Sequence, residues 1–589
     1  MTIDTRYRDA ALPTAQRVDI LLAQMTLEEK AGLFFQNMIA MGDGGALAEG
    51  SPEFSLPSTE DYVVGRHMTH FNLFGAAPDA RTIAEWQNRV QELTASTRLG
   101  IPVTLSTDPR HSFTDNPGTA MLAGPFSQWP EPLGLAAAGD AEMALCFGDT
   151  IRQEYTAVGL RVALHPQIDL ATEPRWARQV GTFGQDADLT ARLGVAYIRG
   201  LQGQALGPES VAAMVKHFPG GGPQKDGEDP HFAYGREQVY PGNNFDYHLK
   251  PFEAVIEAGA SQMMPYYGMP VGTEFEEVGF GFNKSVITAL LRERYGFDGI
   301  VCTDWGLITD SVIAGDPFPA RAWGVEHLTP GERMIKALEA GVDQFGGEAD
   351  PSLLVELVRS GAVTEDRLDV SARRLLREKF VLGLFDSPYV DPDRAERTVG
   401  SAGFRAAGNA AQRASVTILT NQANDDGATL PLARGLRIYA EGFQPGALAA
   451  YGVQVETPED ADVAILRVAA PFEKRATTFE NFFHAGSLEF PADEAERILA
   501  IARAVPTVLD VFLERPAILT PFVESAAALV ADFGASGEAL LDVLFGVVPP
   551  RGRLPIELPS SMAAVEASRP DVPSDTADPL FPFGHGLTY

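Results

Sequence analysis

The chain has 589 residues, 45% hydrophobic and 21% charged, an ordinary globular balance that excludes wholesale disorder. Its 46 basic and 79 acidic side chains give a net charge of −33, which leaves no basic footprint for nucleic acid or an anionic membrane. Two cysteines, Cys146 and Cys302, are too few for a disulfide framework or a cysteine-rich metal site.

The opening MTIDTRYRDAALPTAQR lacks the apolar core of a secretory signal, and no apolar run approaches a membrane span, so a cytoplasmic location is expected. At about 150 residues per domain the length predicts four domains, although a barrel can absorb roughly 200–250 residues in one. Short β-rich runs at His70–Phe74, Ile101–Asp108, Val162–Leu170, Val211–Phe218, Gln262–Tyr267, Ile300–Asp304 and Val342–Phe345 read as strands. Amphipathic stretches such as Arg81–Thr97 and Asp140–Val158 lie between them. This alternation predicts parallel strands with crossover helices, and over residues 1–385 it fits a (β/α)8-like barrel better than an open sheet. A Pro-containing stretch within 386–400 reads as a linker. From 401 to 589, helix Ala402–Ala414 and the apolar runs SVTILTN, RIYAEGF, DVAILRV, TVLDVFL and ALVADFG predict a second α/β layer domain.

Polar residues gather where the barrel runs end: Asp108 after VTLST, Lys216 and His217 in MVKHF, Asp304 and Trp305 after GIVCT. In a parallel barrel those are the carboxyl ends, where active sites lie. Glycoside hydrolysis needs two carboxylic groups, one to attack or stabilise and one to donate a proton. Asp304, at the end of a rigid apolar strand, is the best single candidate, and the Trp305 indole can pack against sugar C–H groups. Lys216 and His217, followed by a turn-forming Pro-Gly run, suit several hydroxyls of one sugar.

Six segments in order, MTLEEKAGL, GIPVTLSTDPRH, EPRWARQVGTFGQD, KHFPGGG, GIVCTDWG and FPFGHGLTY, resemble glycoside hydrolase family 3. The resemblance implies a (β/α)8-like barrel followed by an (α/β)6 sandwich, with the active site at their junction. It further implies retaining β-glucosidase chemistry on a small glucoside or β-gluco-oligosaccharide, without metal or organic cofactor; a homodimer is compatible with it. By motif, Asp304 becomes the nucleophile, and Asp108, Arg178, Lys216 and His217 become glycone ligands, with Arg175 the fallback for Arg178. Tyr267 in MMPYYG matches a tyrosine beside the nucleophile, and Trp305 a pocket wall.

The resemblance implies that the general acid comes from a variable loop of the second domain. In AAPFEKRATTFENFFHAGSLEF that role falls to Glu473, with Glu480 and Glu489 as neighbours and Phe479, Phe482, Phe483 and His484 on the aglycone side. A β-N-acetylglucosaminidase branch of the family instead uses an Asp-x-His dyad, and Asp229-Pro230-His231 supplies one. That gives a hydrolase or phosphorylase as the alternative. A sugar-binding homologue without activity is the other, and joint retention of Asp304, Asp108, Lys216 and His217 argues against it.

Overall fold

A computed structural model describes residues 3–589, apart from 77, 117, 314, 425 and 426. Eight parallel strands form the first sheet: β1 (Phe35–Ala40), β2 (His70–Phe74), β3 (Thr104–Thr107), β4 (Leu160–Ala163), β5 (Ala212–Phe218), β6 (Gln262–Pro265), β7 (Ile300–Val301) and β8 (Phe345–Gly346). β8 pairs with β1, and a parallel bridge from Cys302 to Gln344 joins β7 to β8, closing the barrel. All seven residues of β5, AAMVKHF, are buried, as expected of a parallel strand with both faces covered.

The covering helices include α1 (Ala80–Ala95), α2 (Ala141–Val158), α3 (Ala187–Gln202), α4 (Phe245–Glu257), α5 (Pro330–Ala340) and α6 (Glu365–Val381). Their starts are chemically specified. Asp79, Asp140 and Asp186 accept backbone N–H groups in the first turns of α1, α2 and α3, and Thr329 with Glu332 forms a capping box on α5.

The structure trims several of the expected strands at their ends and differs most from expectation at two places. β1, FQNMIA, carries Gln36 and Asn37 inside the barrel wall and so lacks the apolar run that marks its neighbours. The run Val162–Leu170 is strand only to Ala163, because the backbone leaves the sheet at His165-Pro166, and Pro cannot donate to a ladder.

The second sheet contains β9 (Thr417–Asn421), β10 (Arg437–Glu441), β11 (Val453–Val455), β12 (Val463–Ala469), β13 (Thr507–Phe512) and β14 (Ala528–Asp532), in the order β9-β14-β13-β12-β10-β11. Only the β9–β14 pair is antiparallel. Side chains alternate between two cores, as the strand period of two requires. Leu466, Leu509 and Leu529 join Ile498 and Ile501 of α7 (Ala492–Ala504), while Ile465, Val508 and Val530 face α8 (Gly537–Leu544). The terminal FPFGHGLTY belongs to this sheet's edge: Leu587 N–H donates to Ile418 O, and the His585 ring sits 2.8 Å from Leu419 O. Residues Pro392–Thr398 form a short helix against α1 and α2, and the Gly400 N–H donates to Glu154 of α2 at 2.6 Å.

Glu378 on α6 is buried and accepts the Gln262 side-chain N–H at 2.5 Å; burial pushes its carboxyl up to about 7 from 4.5. The folded protein therefore binds more protons than the unfolded chain between those values, and stability falls as pH rises through them, by up to about 3 kcal/mol. Glu378→Gln cannot ionise. Chemical denaturation is expected to find it equal to the parent at about pH 4 and clearly more stable at about pH 8.

Candidate active site

A cavity of about 290 Å³ opens at the carboxyl ends of the barrel strands. Asp108 follows β3, Arg178 lies in the loop after β4, Lys216 and His217 end β5, Tyr267 follows β6, and Asp304 and Trp305 follow β7; all seven line it. The structure thus gathers seven of the eight expected site residues in one place. Gly347, after β8, has φ +70°, and a Cβ there would lie 2.8 Å from the Trp305 ring, so the indole can stand only against a glycine.

Asp108 is buried, with one oxygen 3.1 Å from Lys216 Nζ and the other accepting Asn72 Nδ2 at 2.9 Å. His217 sits 2.7 Å through Nδ1 from Asp169 Oδ2, and its backbone N–H donates to Asp169 Oδ1 at 3.2 Å. Burial holds the His217 imidazole well below its usual range, with Arg178 adding to the effect, so the ring is neutral. Its proton then lies on Nδ1 toward Asp169, leaving Nε2 as an acceptor. Burial also raises Asp169 to about 6, against the restraining N–H of Gly221. The Arg178 guanidinium is fully enclosed; burial opposes its charge, but Asp229, Tyr266, Asp304 and Asp169 outweigh that and keep it above its usual range.

Asp304 accepts the Trp305 backbone N–H through Oδ1 at 2.8 Å. Its Oδ2 is buried without a hydrogen-bond partner among the described residues and lies 3.8 Å from His217 Nε2. Tyr267 donates its hydroxyl to Trp305 O at 2.7 Å, and Arg321 Nη2 donates to the same carbonyl at 2.6 Å. The loop that carries the nucleophile candidate is therefore fixed from two sides. Burial, then the charge of Asp304, raises the Tyr267 phenol well above its usual range.

Arg175 points elsewhere, with Nε 2.8 Å from Glu173 Oε1. Sequence reading missed Asp169, which orients His217, and Arg321, which holds the Trp305 carbonyl; a polar residue just beyond a Pro-terminated strand was the available signal for Asp169.

The eighth residue, Glu473, does not line this cavity. It is exposed, and its Oε1 accepts Ser487 N–H at 3.2 Å. Glu480 accepts the Tyr234 hydroxyl at 3.0 Å, and Glu489 is exposed; neither lines the cavity. Their loop nevertheless reaches the mouth, where Thr478, Phe479 and Phe482 form part of the wall and Asn116 Nδ2 donates to Phe482 O at 2.7 Å. The Asp229–His231 pair does reach the cavity: His231 lines it, its Nδ1 is 2.6 Å from Asp229 Oδ1, and its ring centroid is 4.6 Å from that of Tyr267. Burial works to raise Asp229, but His231 and Arg178 outweigh it and hold the carboxyl below its usual range. Among the described residues, no group of three or more His, Cys, Asp or Glu is placed to hold a metal ion.

A small cavity that offers paired charges for hydroxyls, an indole face and one carboxylate oxygen left free suits a neutral sugar, and it sits at the carboxyl ends of the strands, where parallel barrels place their active sites. Residues 60–378 match the glycosyl hydrolase family 3 N-terminal domain. The chain is 54% identical over 585 residues to the probable beta-glucosidase C of Aspergillus flavus, covering 99% of this chain and 92% of that protein. It is 42% identical over 607 residues to the periplasmic beta-glucosidase/beta-xylosidase of Dickeya chrysanthemi, covering 99% and 91%. Among solved structures, the fold matches a β-glucosidase from Listeria innocua in complex with glucose, with TM-score 0.74, 22% identity, and 98% and 83% coverage. The chain belongs to glycosyl hydrolase family 3.

Proposed function

We propose that this glycoside hydrolase is an exo-acting β-glucosidase that releases terminal nonreducing glucose with retention of configuration. The observation that carries the reading is Asp304: a rigidly held carboxylate at the base of the cavity with one oxygen free. That oxygen attacks the anomeric carbon, forming the C1–O bond to Asp304 while the bond to the leaving oxygen breaks and a proton is delivered to that oxygen. Water then releases glucose, its proton passing to the group that served as acid. Asp108 with Lys216, Arg178 and the His217 Nε2 hold the glycone hydroxyls, and Trp305 packs against its C–H face. The β-glucosidase names of the relatives support the same substrate class.

The sequence assigns the proton to Glu473. A second reading gives it to His231, favoured by one observation: His231 stands in the cavity with Asp229 on its Nδ1, whereas Glu473 caps Ser487 outside it. Glu473→Gln and His231→Asn separate the two. Loss of the true acid is expected to lower kcat/KM by about 100- to 10,000-fold for alkyl β-glucosides and far less for dinitrophenyl β-glucoside, with azide restoring turnover. The other variant keeps the parental leaving-group dependence. An aryl N-acetylglucosaminide turned over in preference to the aryl glucoside would overturn the glucosidase reading itself.

A further inference from the structure

A second cleft, about 620 Å³, lies outside the carboxyl ends of the second sheet. It opens where the chain reverses its progress across that sheet: from β10 the next strand is β11 at one edge, whereas β12 leads through β13 to β14 the other way. Open α/β sheets bind ligands in the crevice at such a reversal. The floor is Arg467 of β12 and Asp532 at the end of β14. Arg467 donates to Asp510 Oδ2 at 2.8 Å, to Asp532 Oδ2, and to Ala535 O at 2.8 Å. Asp532 is 1% exposed, and its Oδ1 has no hydrogen-bond partner among the described residues. Gly442 lies over Arg467 with φ +80°, and a Cβ there would sit 2.7 Å from the Arg467 Cβ, so the floor is left uncovered.

The walls are Phe443 and Phe512, with the Arg467 guanidinium 5.5 Å from the Phe443 ring, and the amides of Gln128 and Gln444. This lining defines the ligand by charge. An anion would meet two buried carboxylates and Glu538 against one guanidinium, and a metal ion would meet that guanidinium. Burial, reinforced by Asp532, pushes the Asp510 carboxyl above its usual range, which lessens the negative charge behind Arg467. A neutral ligand remains. Ring faces for C–H groups, two amides and a carboxylate–guanidinium pair for adjacent hydroxyls repeat the chemistry that Trp305 and the Asp108–Lys216 pair present in the barrel cavity.

We infer that this cleft is a second carbohydrate site, which takes one neutral hexose unit between Phe443, Gln444 and the Arg467–Asp532 pair. No residue lines both this cleft and the barrel cavity, so it can be tested apart from the roles assigned to Asp304 and the proton donor. Glucose is the probe, and thermal unfolding reports binding, because a ligand that binds only the folded state raises Tm. In Asp108→Asn, whose barrel cavity is weakened for glycone, millimolar glucose is expected still to raise Tm. Adding Phe443→Ala and Gln444→Ala should remove that rise. The same two changes in the parent should leave kcat/KM for an aryl β-glucoside within about twofold. Crystals soaked in glucose should show the sugar against Arg467 and Asp532. No Tm rise in Asp108→Asn, a rise that survives loss of Phe443 and Gln444, or an empty cleft in the soaked crystal would each overturn the inference. Absence of aryl-glucoside turnover would instead strike the glucosidase reading and leave the cleft's Tm response intact.

Discussion

Asp304→Asn is expected to lower kcat/KM for an aryl β-glucoside by about 10,000-fold or more, with little change in thermal stability. Asparagine keeps the shape of the side chain and an oxygen to accept the Trp305 N–H, so the loop held by Tyr267 and Arg321 has no cause to move. What disappears is the charge on Oδ2, the one carboxylate oxygen lining the cavity that has no hydrogen-bond partner among the described residues. The surrounding groups do not replace it: Asp108 is tied to Lys216 and Asn72, and Asp169 to His217. Glucose binding should survive, since those glycone contacts are unchanged. In Asp304→Gly, which vacates the face the carboxylate occupied, azide should restore turnover and give the α-glucosyl azide, whereas the shape-retaining asparagine leaves it no room. Residual activity above about 1% of the parent, without azide, would remove Asp304 from the role.

The barrel was legible because its strands end alike: an apolar run, then a polar side chain that the next turn aims into the mouth. Asp108, Lys216 and Asp304 each obey that pattern, and the structure places all three in one cavity. Two things defeated it. β1 carries Gln36 and Asn37 because Gln36 bonds Ser106 across the barrel interior at 2.8 Å and Asn37 lines the cavity, and such polar strands carry no hydrophobic signal. The loop around Glu473 and Phe482 takes its place from partners far away in sequence, so no local spacing could say which of its side chains would meet the sugar. His231 shows the converse. Its dyad with Asp229 is local and was visible, whereas its position beside Tyr267 and Phe483 depends on the folded barrel and the second unit together.

Arg515 is where that loop is fastened, and Arg515→Met is expected to cost about 3–5 kcal/mol of stability. The guanidinium is buried and gives Nη1 to Arg175 O at 3.1 Å and Gly486 O at 3.0 Å, and Nη2 to Pro471 O at 2.6 Å, Ala485 O at 3.1 Å and Ser487 O at 3.1 Å. Burial pulls it down to about 10, so it stays charged at neutral pH, and each bond it makes is charge-assisted. Methionine fills much of the volume but donates nothing, which leaves four carbonyls without a donor among the described residues, while Ala485 O keeps the Glu473 N–H at 3.0 Å. Four of the five carbonyls belong to residues 471–487, and the fifth, Arg175 O, belongs to the barrel. The loss is therefore local before it is global. Limited proteolysis should open within 471–487 ahead of the rest of the chain, and urea denaturation should report the full cost. Because Thr478, Phe479 and Phe482 wall the cavity, kcat/KM should fall mainly through KM for glucosides with bulky aglycones. Arg515→Lys, which keeps the charge and fewer of the bonds, should fall between the two. A methionine variant with parental stability would mean that the loop is fixed by its aromatic contacts to Phe232, Phe318 and His231 rather than by the buried guanidinium.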